Sequence, residues 1–253
     1  MGLSQLNFAG LNKIEVAIER LKTFEPPEGY YLAFSGGKDS EVVYDLAVKS
    51  GVKFDAHFNF TTVDPPELTA FIQANYPAVE WSYPEKNMYQ LIVEKGFPRR
   101  QGRYCCELLK EYGGNGRMVL TGIRAQESPK RKLRKMFEVC TKGLGKTFLH
   151  PIIDWTRLEV WDYLKTNKLK YCELYDEGSS GLYKGNGHFK RIGCIICTME
   201  TTKQTYYEVA RFPKVFQAYW LAFQRLYERH LPSTDKYKSA DEMFRFWLSR
   251  KGQ

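Results

Sequence analysis

The chain has 253 residues, 43% of them hydrophobic and 15% aromatic, which is the composition of a globular protein with room for a sizeable core and excludes a disordered chain. No apolar run reaches membrane-span length, and the start "MGLSQLNFAGLNKIEVAIER" lacks the basic-then-apolar pattern of a secretory leader, so the sequence reads as cytoplasmic with no membrane partner. Met1-Gly2 fits a myristoylation start only loosely, because Leu6 stands where Ser or Thr is required. The net charge of +9 points to anionic partners.

Leu11, Ile14, Ala17, Ile18 and Leu21 recur at helical spacing and predict an opening amphipathic helix, ended by Pro26-Pro27-Glu28-Gly29. Tyr30 to Phe34 is a short apolar run, read as a buried strand. A turn, Ser35-Gly36-Gly37-Lys38-Asp39-Ser40, leads into a helix that reaches about Ser50. Asp39 or Ser40 is its expected cap and Gly51 its stop. Val52 to Phe60 predicts a second strand, Pro65-Pro66-Glu67 a helix start, Ala78 to Tyr83 a third strand, and "NMYQLIVEKG" a helix closed by Gly96. Arg117 to Ile123 and Thr147 to Ile153 are further strands, and Asp154 is the expected cap of "WTRLEVWDYLKTN". Asp176 to Gly193 is a Gly- and Ser-rich loop. Beyond Cys197 the chain turns helical and aromatic, with a break at Pro213 and a last helix in "DEMFRFWLSRK". Those aromatics suit core packing better than base stacking.

Strand and helix alternate, so the fold class is α/β with a mostly parallel sheet flanked by helices. In such sheets ligands bind at the carboxyl ends of strands, where Ser35, Thr61 to Pro65 and Gly122 to Ser128 fall. The glycine turn fits neither a Walker A loop nor a dinucleotide fingerprint. Its physics is still that of a phosphate cradle: Gly36 and Gly37 open the backbone, a helix N-terminus follows, and Ser35, Lys38 and Ser40 add donors and a cation.

Arg99 to Lys135 holds eleven Lys or Arg against three Glu, densest at "KRKLRK". That stretch is either a solvated basic face or a surface for a polyanion. The six cysteines are Cys105, Cys106, Cys140, Cys172, Cys194 and Cys197. In a cytoplasmic chain they suggest metal binding or catalysis before disulfides. Cys105-Cys106 and Cys194-x-x-Cys197 together offer four thiolates for an iron-sulfur cluster or zinc, or are buried free thiols. Cys140 and Cys172 have no partner at ligand spacing and read as ordinary buried cysteines.

"SGGKDS" resembles the PP-loop of the ATP pyrophosphatase superfamily, S-G-G-x-D-S after the first strand. "TTVDPPEL", "TGIRAQESPKR", "PIIDWTRLEVWDYL" and "IGCIICT" then resemble, in order, blocks of the phosphoadenylylsulfate (PAPS) and adenylylsulfate (APS) reductase branch, and the likeness covers roughly Tyr30 to Thr198. It implies an adenine nucleotide alpha hydrolase-like, Rossmann-like fold. The implied divisions are an N-terminal helix at 1–29, the PP-loop domain at 30–200 and a helical C-terminal extension at 201–253. It implies Lys38 and Asp39 as catalytic residues. Ser35, Gly36, Gly37, Lys38, Asp39, Ser40, Asp64, Gly122, Arg124, Ser128 and Arg131 would bind the nucleotide and its pyrophosphate, with Mg2+ accompanying ATP. Read alone, Arg124 and Arg131 are either bidentate anion contacts or part of the basic face, and Asp64 is either a pocket residue or a turn former. The paired cysteines resemble the APS-reducing type, which implies a [4Fe-4S] cluster on Cys105, Cys106, Cys194 and Cys197 with Lys110 nearby; zinc is the alternative.

The reductases attack sulfur with a cysteine in a C-terminal Glu-Cys-Gly-Leu-His type motif, and this sequence has no cysteine after Cys197. The expectation therefore shifts to an ATP pyrophosphatase that adenylylates an acceptor, releases pyrophosphate and lets sulfur displace AMP. Relatives that thiolate tRNA and the pyrophosphatase component of DNA phosphorothioation systems are similar in this respect. The partners implied are ATP, a sulfur donor such as a cysteine desulfurase, and a nucleic-acid acceptor. The alternatives are a sulfonucleotide reductase with an external thiol and a non-catalytic nucleotide-binding module with a structural metal.

Overall fold

The computed structural model describes residues 12–141, 144–179, 187–230 and 236–250. Leu11 of the expected first helix, the Met1-Gly2 start and residues 180–186 of the Gly- and Ser-rich loop lie outside them. The chain forms two compact units that interleave in sequence. The first comprises Met1–Asn59, Pro66–Ser82 and Gly113–Ile192; the second comprises Phe60–Pro65, Tyr83–Tyr112 and Gly193–Gln253.

The first unit is built on a six-stranded sheet. Its strands are β1 (Tyr30–Ala33), β2 (Phe54–Asn59), β3 (Glu80–Ser82), β4 (Met118–Leu120), β5 (Phe137–Val139) and β6 (Thr147–Leu149), in the order β3-β2-β1-β4-β6-β5. All pairings are parallel except β5 with β6, which is antiparallel. The sequence reading did not foresee β5. Tyr30, Tyr31 and Leu32 are buried, the continuous apolar signature of a strand covered on both faces. The register pairs Tyr31 with Val119 and Leu32 with Leu120, so the chain leaves β1 and β4 side by side. Strand order reverses there, and open α/β sheets bind ligands at such a switch point.

Helices α1 (Lys13–Thr23), α2 (Lys38–Ser50), α3 (Pro66–Asn75), α6 (Pro129–Lys132) and α7 (Arg157–Thr166) belong to this unit. Asn12 and Glu15 form a capping box on α1. Lys13 pairs with Glu159 at 2.8 Å and Arg20 with Asp154 at 2.7 Å, which ties α1 to the start of α7. Thr156, and not the expected Asp154, caps α7, because Glu159 at the third helical position completes a capping box with Thr156. Gly37 likewise replaces Asp39 or Ser40 as the cap of α2. It has no side-chain cap bond, so helical backbone begins directly at the charged Lys38-Asp39 pair. Gly51, at φ +75°, ends α2 as its sequence requires.

The second unit is helical: α4 (Met88–Lys95), α5 (Tyr104–Leu109), α8 (Thr202–Arg211), α9 (Pro213–His230) and α10 (Ala240–Ser249). Pro213 opens α9, where its missing N–H costs nothing. Tyr219, Phe223 and Trp247 are buried and pack ring on ring, with centroids 5.2 Å apart for Tyr219–Trp247 and 5.1 Å for Phe223–Trp247. These rings fill a core, as their sequence context suggested. Among the described residues no helix is long and apolar enough to cross a membrane.

Candidate functional site

In the first unit the glycine turn is shaped by two close approaches. Gly36 sits at φ +65°, and a Cβ there would come within 2.6 Å of Ile72 Cδ1. Gly122, just past β4, lies so near the loop that a Cβ would stand 2.7 Å from the Asp39 carbonyl carbon. Ser35 and Ser40 close the turn from inside: their hydroxyls are 3.0 Å apart, Ser40 Oγ accepts from the Ser35 amide at 3.2 Å, and Ser40 Oγ donates to Gly37 O at 2.8 Å.

The charged residues of the turn form one chain. Lys38 Nζ is 2.7 Å from Asp39 Oδ2, and Asp39 Oδ1 is 2.6 Å from Arg124 Nε. Lys38 and Arg124 are 1% and 3% exposed, so this is an interior ion triad and not a surface pair. Burial alone would raise the Asp39 carboxyl, but the charges and hydrogen bonds of Lys38 and Arg124 outweigh it and hold Asp39 below the ordinary carboxylate range. Glu41, two residues along α2, is opposed only by the charge of Lys38, which does not offset its burial. It is fully buried, neither carboxyl oxygen has a hydrogen-bond partner among the described residues, and burial followed by the Asp39 charge pushes it well above its usual range.

Arg124, expected from sequence, thus meets Asp39 directly. Ser128 and Arg131 have local tasks: Ser128 Oγ accepts from the Arg131 amide at 3.2 Å at the start of α6, and the Arg131 guanidinium pairs with Glu127. Glu127 also accepts from the Arg124 amide at 3.0 Å. Sequence reasoning missed Tyr175, whose hydroxyl accepts the Lys38 amide at 3.2 Å and whose ring lies 5.6 Å from Lys38 Nζ. Nothing in the sequence marks a tyrosine 137 residues away as a loop contact.

Four of the eleven basic side chains of the basic stretch are in ion pairs. Arg117 pairs with Asp55, Arg124 with Asp39, Arg131 with Glu127 and Arg134 with Glu138. Lys130, Lys132 and Lys135 remain on the surface around Leu133, which is 82% exposed.

Asp64 lies in the second unit, where its Oδ2 accepts the Thr61 amide at 2.7 Å and closes the turn before the two prolines. Burial raises its carboxyl despite Lys110. The same unit gathers Cys105, Cys106, Cys194 and Cys197 around one cavity, with Lys110, Tyr219 and Trp247 also on its wall. The short helix α5, unforeseen in the sequence, carries the first pair. The neighbouring Cys105, then the charges of Arg103 and Lys110, lower Cys106 to about 6 against its burial, while Cys105 is pushed up. Arg103 Nη1 donates to Cys106 Sγ at 3.7 Å. Burial raises Cys194 to about 11. Four thiols on one cavity have the donor chemistry of a soft-metal site. Among the described residues, however, no three His, Cys, Asp or Glu side chains are drawn together as a group that could hold a metal ion. The expected ligands are therefore present as cavity lining and not as a formed coordination set. Cys172 is buried as expected, whereas Cys140 is only half-buried at the edge strand β5.

A parallel sheet with a glycine turn and an ion triad at its switch point defines a nucleotide-binding α/β protein of the PP-loop class. Residues 29–200 match the phosphoadenosine phosphosulfate reductase domain, and the chain belongs to that family. It is 31% identical over 188 residues to a probable FAD synthase of Schizosaccharomyces pombe, covering 72% of this chain and 67% of that protein. It is 29% identical over 216 residues to an uncharacterized protein of Methanocaldococcus jannaschii, covering 79% of this chain but only 42% of the relative. Its fold is similar to that of the PAPS reductase from Candida auris, solved as a phosphate complex, with a TM-score of 0.50 and 20% identity over 72% of this chain and 98% of that one. Relatives with assigned names, among them the probable FAD synthase and an APS reductase of Bacillus subtilis, are named as enzymes.

Proposed function

We propose that this protein is an ATP pyrophosphatase that adenylylates an acceptor and readies it for sulfur transfer. The buried triad Lys38–Asp39–Arg124 behind the glycine turn carries the reading. Gly36 and Gly37 let phosphate oxygens approach the backbone, and the N-terminus of α2 adds partial positive charge. An acceptor oxygen bonds to the α phosphorus as the bond to the β phosphate breaks and pyrophosphate leaves. Lys38 and Arg124 stabilise the charge that builds on the leaving group, and Asp39, kept ionised, fixes both cations in place. Mg2+ enters with ATP on its phosphates. A sulfur nucleophile, from a donor such as a cysteine desulfurase, then bonds to the activated centre and AMP departs. The similarity to a probable FAD synthase supports adenylyl transfer as the first step.

The exposed Lys130, Lys132 and Lys135 support a nucleic-acid acceptor. The four-thiol cavity supports a resident [4Fe-4S] cluster, with zinc as the alternative, held by Cys105, Cys106, Cys194 and Cys197. Such a group supplies a soft, sulfur-rich centre. Ser128 and Arg131 complete the proposed nucleotide-binding set of the first unit.

The test is release of pyrophosphate and AMP from ATP by the purified protein, with and without nucleic acid. Lys38→Ala and Asp39→Ala are expected to abolish it. Absence of nucleotide turnover in every condition would sink the proposal, and tight ATP binding without turnover would mark a binding module. The matched domain also favours a second reading, a sulfonucleotide reductase with an external thiol. That reading requires sulfite release from APS or PAPS with a thiol donor under anaerobic, reducing conditions.

A further inference from the structure

The loop Cys194-Ile195-Ile196-Cys197 has an unusual backbone. Ile196 is at φ +59°, the left-handed region that a β-branched side chain rarely enters. Such an outlier persists only where its surroundings over-determine it. Here the surroundings are side chains. Glu208 of α8, 5% exposed, accepts the Ile196 amide at 2.6 Å, and Gln204 Nε2 steadies its other oxygen at 3.1 Å. Arg250, at the end of α10 and 9% exposed, donates one NH2 group to Ile196 O at 3.0 Å and to Cys197 O at 3.1 Å, with Thr205 Oγ1 at 3.2 Å. Its guanidinium lies 4.8 Å from the Trp247 ring. Glu208 thus binds the loop's donor and Arg250 its acceptors, on either side of the strained residue.

We propose that Glu208 and Arg250 are positioning residues that hold Ile196 in the left-handed conformation, so that Cys194 and Cys197 both line the thiol cavity. Both residues lie beyond the matched segment 29–200, so helices outside the family domain set the geometry of a loop inside it. The function of the clamp rests on the reading of the four thiols as one soft-metal site; the clamp itself does not.

Two readouts on the full chain test it: anaerobic titration with Co2+ alone, followed by the thiolate-to-cobalt absorption band, and peptide-resolved iodoacetamide labelling of the metal-free protein. Glu208→Ala should weaken Co2+ binding roughly tenfold, the effect typical of removing a group that orients a metal ligand from behind. It should also speed labelling of Cys197 severalfold relative to Cys172. Glu208→Gln, which keeps an oxygen acceptor for the Ile196 amide, should stay near wild type. Ile196→Gly placed in the Glu208→Ala background should restore both readouts, because glycine adopts positive φ without strain. Wild-type behaviour of Glu208→Ala, no restoration by Ile196→Gly, or faster labelling at Cys172 as well would each overturn the proposal. If the wild type shows no cobalt band, the soft-metal reading fails by itself and the labelling series still decides on the clamp.

Discussion

Asp39 Oδ1 lies 2.6 Å from Arg124 Nε, joining the helix that follows β1 to the segment that follows β4, 85 residues apart in the chain. With Lys38 on its other oxygen, Asp39 is the centre of a buried ion triad. Removing the centre leaves two buried cations facing each other. Asp39→Ala is therefore expected to cost about 3–5 kcal/mol of stability as well as nucleotide turnover. Asp39→Asn, which keeps hydrogen bonds and size, should cost less stability while still abolishing turnover. Urea melts and a pyrophosphate assay separate the two effects.

Asp39 and Glu41 shift in opposite directions and predict opposite pH behaviour. Asp39 is held below its unfolded value, so its contribution to stability is present above that value, about 3.9, and is lost as pH falls through its folded value. Glu41 is raised, so the folded state binds a proton that the unfolded state has released above about 4.3. Stability from Glu41 therefore declines as pH rises above that value. Glu41→Gln should stabilise the protein at pH 8 and lose that advantage by pH 4. Urea midpoints across that range check the sign; an equal effect at both ends would contradict it.

Gly122 predicts a test of loop placement. A Cβ there meets the Asp39 backbone at 2.7 Å, and backbone yields less readily than a side chain. Gly122→Ala should lower stability by about 1–3 kcal/mol and impair turnover more than that loss explains, because the displaced atoms belong to the triad residue. Thermal melting and kcat/KM measured together check it.

Polyanion binding should depend on few residues. Since Arg117, Arg124, Arg131 and Arg134 are paired internally, replacing Lys130, Lys132 and Lys135 with Glu should remove most nucleic-acid affinity. The slope of log affinity against log salt should shrink by about one for each phosphate no longer neutralised. An unchanged slope would place the acceptor elsewhere.

The cysteine cavity predicts colour. Protein purified anaerobically should be brown, with an absorption that Cys194→Ala removes; a colourless protein containing stoichiometric zinc would favour the alternative metal.

How much was legible follows the range of the forces involved. A glycine turn between an apolar strand and a helix, the Gly51 stop and the helical spacing of the C-terminal aromatics are local patterns, and each appears where the sequence places it. Caps are local too, but two candidates can compete within a few residues. Thr156 prevails over Asp154 because Glu159 completes its box, while Asp154 is drawn to Arg20. The antiparallel β5 carries no signal, since Phe137 to Val139 is three residues long and takes its form from β6.

By itself, the sequence determined the fold class, the phosphate-type turn and the two cysteine pairs, because backbone preference, hydrophobic period and thiol chemistry act over a few residues. Only the tertiary structure decided which charges meet: Arg124 at Asp39, Tyr175 at the Lys38 amide, Glu208 and Arg250 at Ile196. Such pairings join residues far apart in the chain, and buried charge and strained backbone are stable only when packing supplies every partner at once.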